Sequence, residues 1–266
     1  MEAQREVAAE TEHGPFVLVQ QEGPTLVITI NRPKARNAIN RATSEMIASA
    51  VDRLDADPSL FVGILTGSGG HFCAGMDLKA FLKGERVELD GRGLAGIVER
   101  PPRKPLIAAI EGYALAGGCE IALACDLIVA ADNAQFGIPE VRRGLIAGSG
   151  GLLRLPQRIP RQIALEYALT GKSMGAAEAR QWGLVNLLTA PGAALDGARA
   201  LAAEISANGP LAVAMTKHVM SESSSWPAAE VWSRQREVLE QVIASNDARE
   251  GALAFTEKRA PRWSGA

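Results

Sequence analysis

The sequence predicts an α/β protein, a sheet covered by helices. Three features predict it. Up to about residue 140, short apolar or β-branched runs alternate with Gly-rich turns and helical spacings, in a β–β–α or β–α rhythm. After residue 155 the patterns are almost wholly helical. With 266 residues, 47% hydrophobic and 22% charged, the chain is long enough for one large, well-buried core.

In chain order, Phe16 to Gln21 and Thr25 to Ile30 flank Glu22-Gly23-Pro24, the pattern of a hairpin. Asn37 to Ala56 carries Ile39, Ala42, Met46, Ile47, Ala50 and Leu54 at helical spacing and stops at Asp57-Pro58. Phe61 to Thr66, Leu106 to Ile110 and Leu127 to Ala131 are short apolar runs that suit buried strands. Helical patterns follow at Pro160 to Leu169, Gly175 to Trp182, Gly192 to Ala207 and Pro210 to Ser221, with a short strand at Leu184 to Leu188. Lys217 and His218 read as surface residues of the last of these helices. Ala229 to Ile243 places Val231, Trp232, Val238, Leu239, Val242 and Ile243 mostly on one face, which calls for a large partner, either the core or another subunit. No repeat or long linker divides the chain. The expected organisation is a flexible tail over 1–14, a core domain over 15–200 and a helical C-terminal region over 201–266.

The net charge of −2 and the lack of a Lys/Arg-rich run argue against a nucleic-acid or acidic-membrane surface. Glu111, Glu120 and Asp126 keep the longest apolar stretch below the roughly 18 residues of a spanning helix. The acidic start, MEAQREVAAETEHG, lacks signal-peptide and transit-peptide character, so a cytoplasmic location is expected. Cys73, Cys119 and Cys125 are odd in number and form no C-x-x-C, and His13, His71 and His218 have no ligand spacing. Neither a disulfide framework nor a metal site is expected.

Glu120 is the residue that points to chemistry. It sits in LIAAIEGYALAGGCEIALACDLIVAADNA, the most apolar stretch of the chain, where an ionised carboxylate costs roughly 2–5 kcal/mol unless it is paired or its pKa rises. Gly117-Gly118 lie one helical turn before it, and Glu140 follows in the loop-like FGIPE. Two carboxyl groups beside bare backbone N–H groups suit proton transfer next to a carbonyl. The Gly-rich segment Gly67 to Leu78 is neither a P-loop nor a G-x-G-x-x-G fingerprint. It reads either as a plain strand-to-helix turn or as a turn exposing the N–H of Ala74 to a ligand. Gly117 and Gly118 likewise serve either close helix packing or ligand approach to a helix N-terminus.

These stretches, together with Asn31-Arg32-Pro33-Lys34-Ala35-Arg36-Asn37-Ala38, Ala134 to Glu140, Thr170-Gly171-Lys172, Ala176 to Val185 and Phe255 to Arg259, follow one order from Leu26 to Trp263. In this the chain resembles the enoyl-CoA hydratase/isomerase (crotonase) superfamily. The resemblance implies a spiral of repeated ββα units with a helical C-terminal trimerisation region, and a homotrimer or dimer of trimers. It implies an acyl-CoA thioester substrate, CoA being part of that substrate and no separate cofactor. It puts the thioester oxygen between the N–H groups of Ala74 and Gly117, with Glu120 and Glu140 positioning water and moving protons. CoA would lie along Ala74, Gly75, Met76, Asp77 and Leu78, near Lys34, Ala35 and Arg36, with Lys258 reaching the phosphates of a CoA on a neighbouring subunit. Both glutamates being present favours an enoyl-CoA hydratase. Leu152-Leu153-Arg154 also resembles carnitinyl-CoA dehydratases, while the two Tyr, four Trp and six Phe give no evident cage for a quaternary ammonium. The further alternatives are an enoyl-CoA isomerase and a CoA- or RNA-binding relative without catalysis. The segment Phe81 to Arg103, which in the family helps wall the acyl pocket, leaves substrate length and polarity open.

Overall fold

The computed structural model describes residues 10, 11 and 14–265. The tail expected over 1–14 lies outside them, except for Glu10–Thr11 paired with Gly14–Pro15. The strands of the body are β1 (Val17–Glu22), β2 (Thr25–Ile30), β3 (Val62–Gly67), β4 (Leu106–Ile110), β5 (Tyr113–Leu115), β6 (Leu127–Ala131), β7 (Gln135–Gly137), β8 (Met174–Gly175) and β9 (Leu187–Thr189). The helices are α1 (Arg41–Ala56), α2 (Leu78–Leu82), α3 (Gly117–Ala124), α4 (Gly151–Arg158), α5 (Arg161–Thr170), α6 (Ala176–Gln181), α7 (Ala194–Ser206), α8 (Pro210–Glu222), α9 (Val231–Ile243) and α10 (Asn246–Glu257).

The main sheet runs β9-β6-β4-β3-β2-β1 and is parallel except for the β1–β2 hairpin. A small sheet, β8-β7-β5, lies beside it in the chain path and is extended by a bridge between Cys73 and Ala114. One unit recurs: a main-sheet strand, a short partner in the small sheet, then a helical turn. It is seen in β3, Cys73 and α2; in β4, β5 and α3; and in β6, β7 and the 3-10 turn Pro139–Arg143.

Burial on both faces explains the unbroken apolar runs of the strands. Leu26, Ile28, Leu106, Ala108 and Ile110 pack into the large core with Ile47, Val51 and Leu54 of α1. Val27, Ile64, Ile107, Ala109 and Val129 pack on the opposite face against Ala198 and Ala202 of α7.

Several boundaries differ from the sequence reading. The first helix starts at Arg41 rather than Asn37, because Asn40 caps it by accepting from Thr43 N at 2.9 Å, while Asn37 is left-handed at φ 57. The strand expected over Leu184 to Leu188 is shorter and later, since Leu184 and Val185 are buried in the turn after α6. The sequence reading placed a helix after the Gly-rich turn and a helical region over 201–266 without giving bounds to α2 or α10, and it missed α4 and the small sheet. α4 opens on Gly151 and contains Pro156, residues that read as helix breakers.

Lys217 is not a free surface residue. Its Nζ donates to Asp126 Oδ2 at 2.6 Å and to Lys104 O at 3.0 Å, tying α8 to the chain entering β4 and β6. In α9, by contrast, no residue is buried, and Trp232, Leu239 and Ile243 are exposed. No helix among the described residues is long and apolar enough to cross a membrane.

Candidate active site

The site starts at the exit of β2. Asn37, fully buried, donates from Nδ2 to Ser68 O at 2.8 Å and to His71 O at 2.6 Å, and accepts from Arg32 N at 2.9 Å. Arg32 donates to Ala38 O and pairs with Asp77 at 2.8 Å. These bonds fix the Gly-rich loop after β3 against residues 32–39. The loop then pairs edge to edge with that turn. Ala74 N donates to Arg36 O at 3.0 Å, Ile39 N to Gly75 O at 2.8 Å and Asp77 N to Ile39 O at 2.8 Å.

This pairing corrects the sequence expectation for Ala74. Its N–H is already committed to Arg36 O and is not a free donor. Gly75 N donates to Cys73 Sγ, so between Phe72 and Asp77 only the N–H of Met76 has no acceptor among the described residues. Gly117 opens α3, where the first N–H groups have no intrahelical partner. The two donors adjoin: a Cβ built on Gly117 would lie 3.5 Å from Met76 N, and one on Gly75 would lie 3.1 Å from Gly117 N. Ala116 makes the elbow between β5 and α3 at φ 52, ψ −129, a strained conformation held by its N–H on Gly137 O at 2.8 Å.

Glu120, in the first turn of α3, is 3% exposed. Its Oε1 accepts from Ser149 N at 2.8 Å and Gly151 N at 2.9 Å, donors 29 and 31 residues further along the chain. Burial pushes its pKa up to about 7, against the Gly151 N–H bond and with added repulsion from Glu140. Glu140 stands in the turn Pro139–Arg143, with Oε2 buried and unpartnered. Burial raises its pKa too, opposed by its own N–H and by Arg143.

Both carboxyl groups line a cavity of about 450 Å³ with Arg36, Ala74, Met76 and Gly117. Leu78, Phe81, Leu145 and Ile146 form an apolar mouth, each at least half exposed or nearly so. Arg36 lies over the ring of Tyr113, which stacks on His71. Of the CoA contacts expected from sequence, Arg36, Ala74, Met76, Leu78 and Gly117 line the cavity. Lys34, Ala35, Gly75, Asp77 and Lys258 do not. Asp77 is turned inward, paired with Arg32 and capping α2 through Lys79 N and Ala80 N. Lys258 caps the far end of α10. Sequence reasoning missed Met76, Ser149 and Gly151 as donors, although the run Gly148-Ser149-Gly150-Gly151 marked a backbone open to close approach. No group of three or more His, Cys, Asp or Glu among the described residues is arranged to hold a metal ion.

Two free N–H groups beside two carboxyl groups of raised pKa can stabilise an oxyanion and move protons next to it. Comparison with known proteins gives the family of the chain. The model of the enoyl-CoA hydratase/isomerase family matches residues 20–266. A carnitinyl-CoA dehydratase of Proteus mirabilis is 45% identical over 251 residues, 91% of this chain and 96% of that protein. Enoyl-CoA hydratase EchA19 of Mycobacterium tuberculosis is 42% identical over 262 residues, 96% of this chain and 98% of that protein. The crystal structure of enoyl-CoA hydratase EchA1 from Mycobacterium marinum superposes with a TM-score of 0.93 at 62% identity, covering 95% of this chain and all of the other. The chain belongs to the enoyl-CoA hydratase/isomerase family.

Proposed function

We propose that the protein is an enoyl-CoA hydratase, a hydro-lyase that reversibly adds water across the C2–C3 double bond of a 2-enoyl-CoA thioester. The observation that carries this reading is the meeting of Glu120, Glu140 and the N–H groups of Met76 and Gly117 in one cavity. The reaction needs one of the two carboxyl groups ionised and the other protonated, a state that the burial-raised pKa of both favours over full ionisation; the proton belongs to the pair rather than to either residue. The ionised member takes a proton from water as its oxygen bonds to C3. The electron pair of the double bond shifts toward the thioester oxygen, where Met76 and Gly117 donate to the developing charge. The protonated member delivers its proton to C2, and the pair again holds one proton. Arg36, Ala74, Met76 and Leu78 would flank the CoA, with the apolar mouth taking its pantetheine arm.

Incubation with crotonyl-CoA tests this by the loss of enoyl-thioester absorbance and formation of the 3-hydroxyacyl product. Conversion of a 3-enoyl-CoA to a 2-enoyl-CoA without hydration would instead make the protein an isomerase. The 45% identity to a carnitinyl-CoA dehydratase supports a second reading, in which the acyl group carries a trimethylammonium group at C4. Comparing kcat/KM for that thioester with crotonyl-CoA separates the two.

The exposed face of α9 supports assembly into a trimer or a pair of trimers, since Trp232, Leu239 and Ile243 would otherwise form a large apolar patch in water. In such an assembly Lys258 would serve a neighbour's CoA. Sedimentation should give three or six chains per particle; a stable, active monomer would refute the assembly. An acyl-CoA substrate favours a cytoplasmic site of action.

A further inference from the structure

A second cavity of about 480 Å³ adjoins the one holding Glu120 and Glu140. The two share a wall made of Glu88, Leu94, Gly148 and Ser149. Gly148 has no side chain, Ser149 gives its N–H to Glu120, and Glu88 is exposed. Leu94, 3% exposed, is the buried side chain of that wall.

The backbone around Leu94 is unusual. Gly93, Ala95 and Gly96 have φ of 69°, 55° and 66°, and Ala95 holds this left-handed conformation while fully buried. Such strain persists only where neighbours over-determine it. Here they do. Ala95 N donates to Ser44 Oγ at 3.1 Å, and Ser44 Oγ donates to Val87 O at 2.7 Å. Arg92 donates to Gly96 O at 2.8 Å while paired with Asp52. A side chain at Gly96 would strike Ala48 of α1. On its other side Leu94 meets the donor helix, for a Cβ on Gly117 would lie 2.5 Å from Leu94 Cδ2. The turn therefore presents Leu94 at one fixed place, between the oxyanion donors and the second cavity.

We propose that Leu94 is a specificity-determining residue, the partition that ends the acyl path at the catalytic cavity and shuts longer acyl chains out of the second one. This rests on the enoyl-CoA hydratase reading for its choice of ligand. The native protein accordingly prefers four-carbon acyl groups to eight-carbon ones, and trimming Leu94 joins the cavities.

The test has two readouts, kcat/KM for 2-butenoyl-CoA and 2-octenoyl-CoA, and calorimetric Kd for butyryl-CoA and octanoyl-CoA. In Leu94→Ala the eight-to-four-carbon ratio should rise about 10-fold or more, the range expected when a pocket gains or loses room for methylenes. Leu94→Met, close in volume, should keep the ratio within about 3-fold of the native protein. A merely structural role for Leu94 would lower both chain lengths alike and leave the ratio unchanged in Leu94→Ala. That result overturns the proposal, as does a native protein with no preference between the two lengths. If Leu94→Ala fails to fold, Leu94→Val takes its place with a smaller rise expected. If crotonyl-CoA is not hydrated at all, the hydratase reading fails, while the two Kd values still decide whether Leu94 selects chain length.

Discussion

Glu120→Gln should lower kcat by about 10²- to 10⁴-fold and at the same time raise stability at alkaline pH. The amide keeps an oxygen to accept from Ser149 and Gly151 N–H but can no longer carry the proton. The stability gain follows from burial. The folded-state pKa of about 7 lies above the 4.5 of an ordinary carboxyl. Between these values the folded protein binds more protons than the unfolded chain, so the free energy of unfolding falls as pH rises through the window. Below pH 4.5 the burial of Glu120 carries no such penalty; above pH 7 the penalty is complete, at ~3 kcal/mol. The variant should therefore melt higher than the native protein at pH 8, with the difference shrinking to nothing as pH is lowered through 4.5. A variant that melts lower at pH 8 would mean that the site compensates the ionised carboxylate. Glu140→Gln should lose a comparable fraction of the rate, and the double variant should be little worse than the poorer single one, because the two acids act as a unit. Full hydratase activity in Glu140→Gln would remove it from the mechanism.

The adjacent glycines of α3 should fail in opposite ways. A Cβ on Gly118 would fall well inside contact distance of the Cys73 carbonyl oxygen and 2.7 Å from its carbon. That carbonyl accepts from Leu115 N, and Phe72 and Cys73 are bonded through their N–H groups to Glu111 O and Tyr113 O, so the backbone has nowhere to move. Gly118→Ala should cost roughly 3 kcal/mol or more of stability. At Gly117 the added methyl meets the end of the Leu94 side chain at 2.5 Å, which can turn aside while its backbone stays fixed, and its next neighbours, Gly75 Cα and Met76 N, stand at 3.5 Å. Gly117→Ala should melt within a few degrees of the native protein yet lose turnover by about 10-fold or more, because the methyl stands beside an oxyanion donor. Thermal melts together with kcat on crotonyl-CoA check both. Unchanged turnover in Gly117→Ala would mean that the oxygen is held elsewhere.

The legible parts of this protein are those where a residue conflicts with, or completes, its local pattern. Glu120 was visible because a carboxylate does not belong in a buried helix without a reason, and Gly117-Gly118 because two glycines in one helical turn are unfavourable. The main strands were visible because burial on both faces leaves them uniformly apolar. The small sheet was not, since strands of two or three residues are too short to show a period of two. Lys217 looked like a solvated charge because its partners, Asp126 and Lys104, lie 91 and 113 residues away.

The proposed oxyanion donor in the Gly-rich turn marks the boundary between the two kinds of information. Local sequence determined that a tight Gly-containing turn follows β3 and that α3 begins at glycine, since those depend on dihedral preference and helix capping alone. Which N–H of the turn stays free was decided by tertiary structure. Pairing with residues 36–39 consumes the N–H groups of Ala74 and Asp77 and leaves that of Met76. The same holds for the pKa of Glu120, which depends on how far water is excluded and on two N–H groups from a distant loop, and for Leu94, whose position is fixed by a turn strained against α1. Each is a long-range hydrogen bond or a packing contact, formed only once the chain has closed on itself.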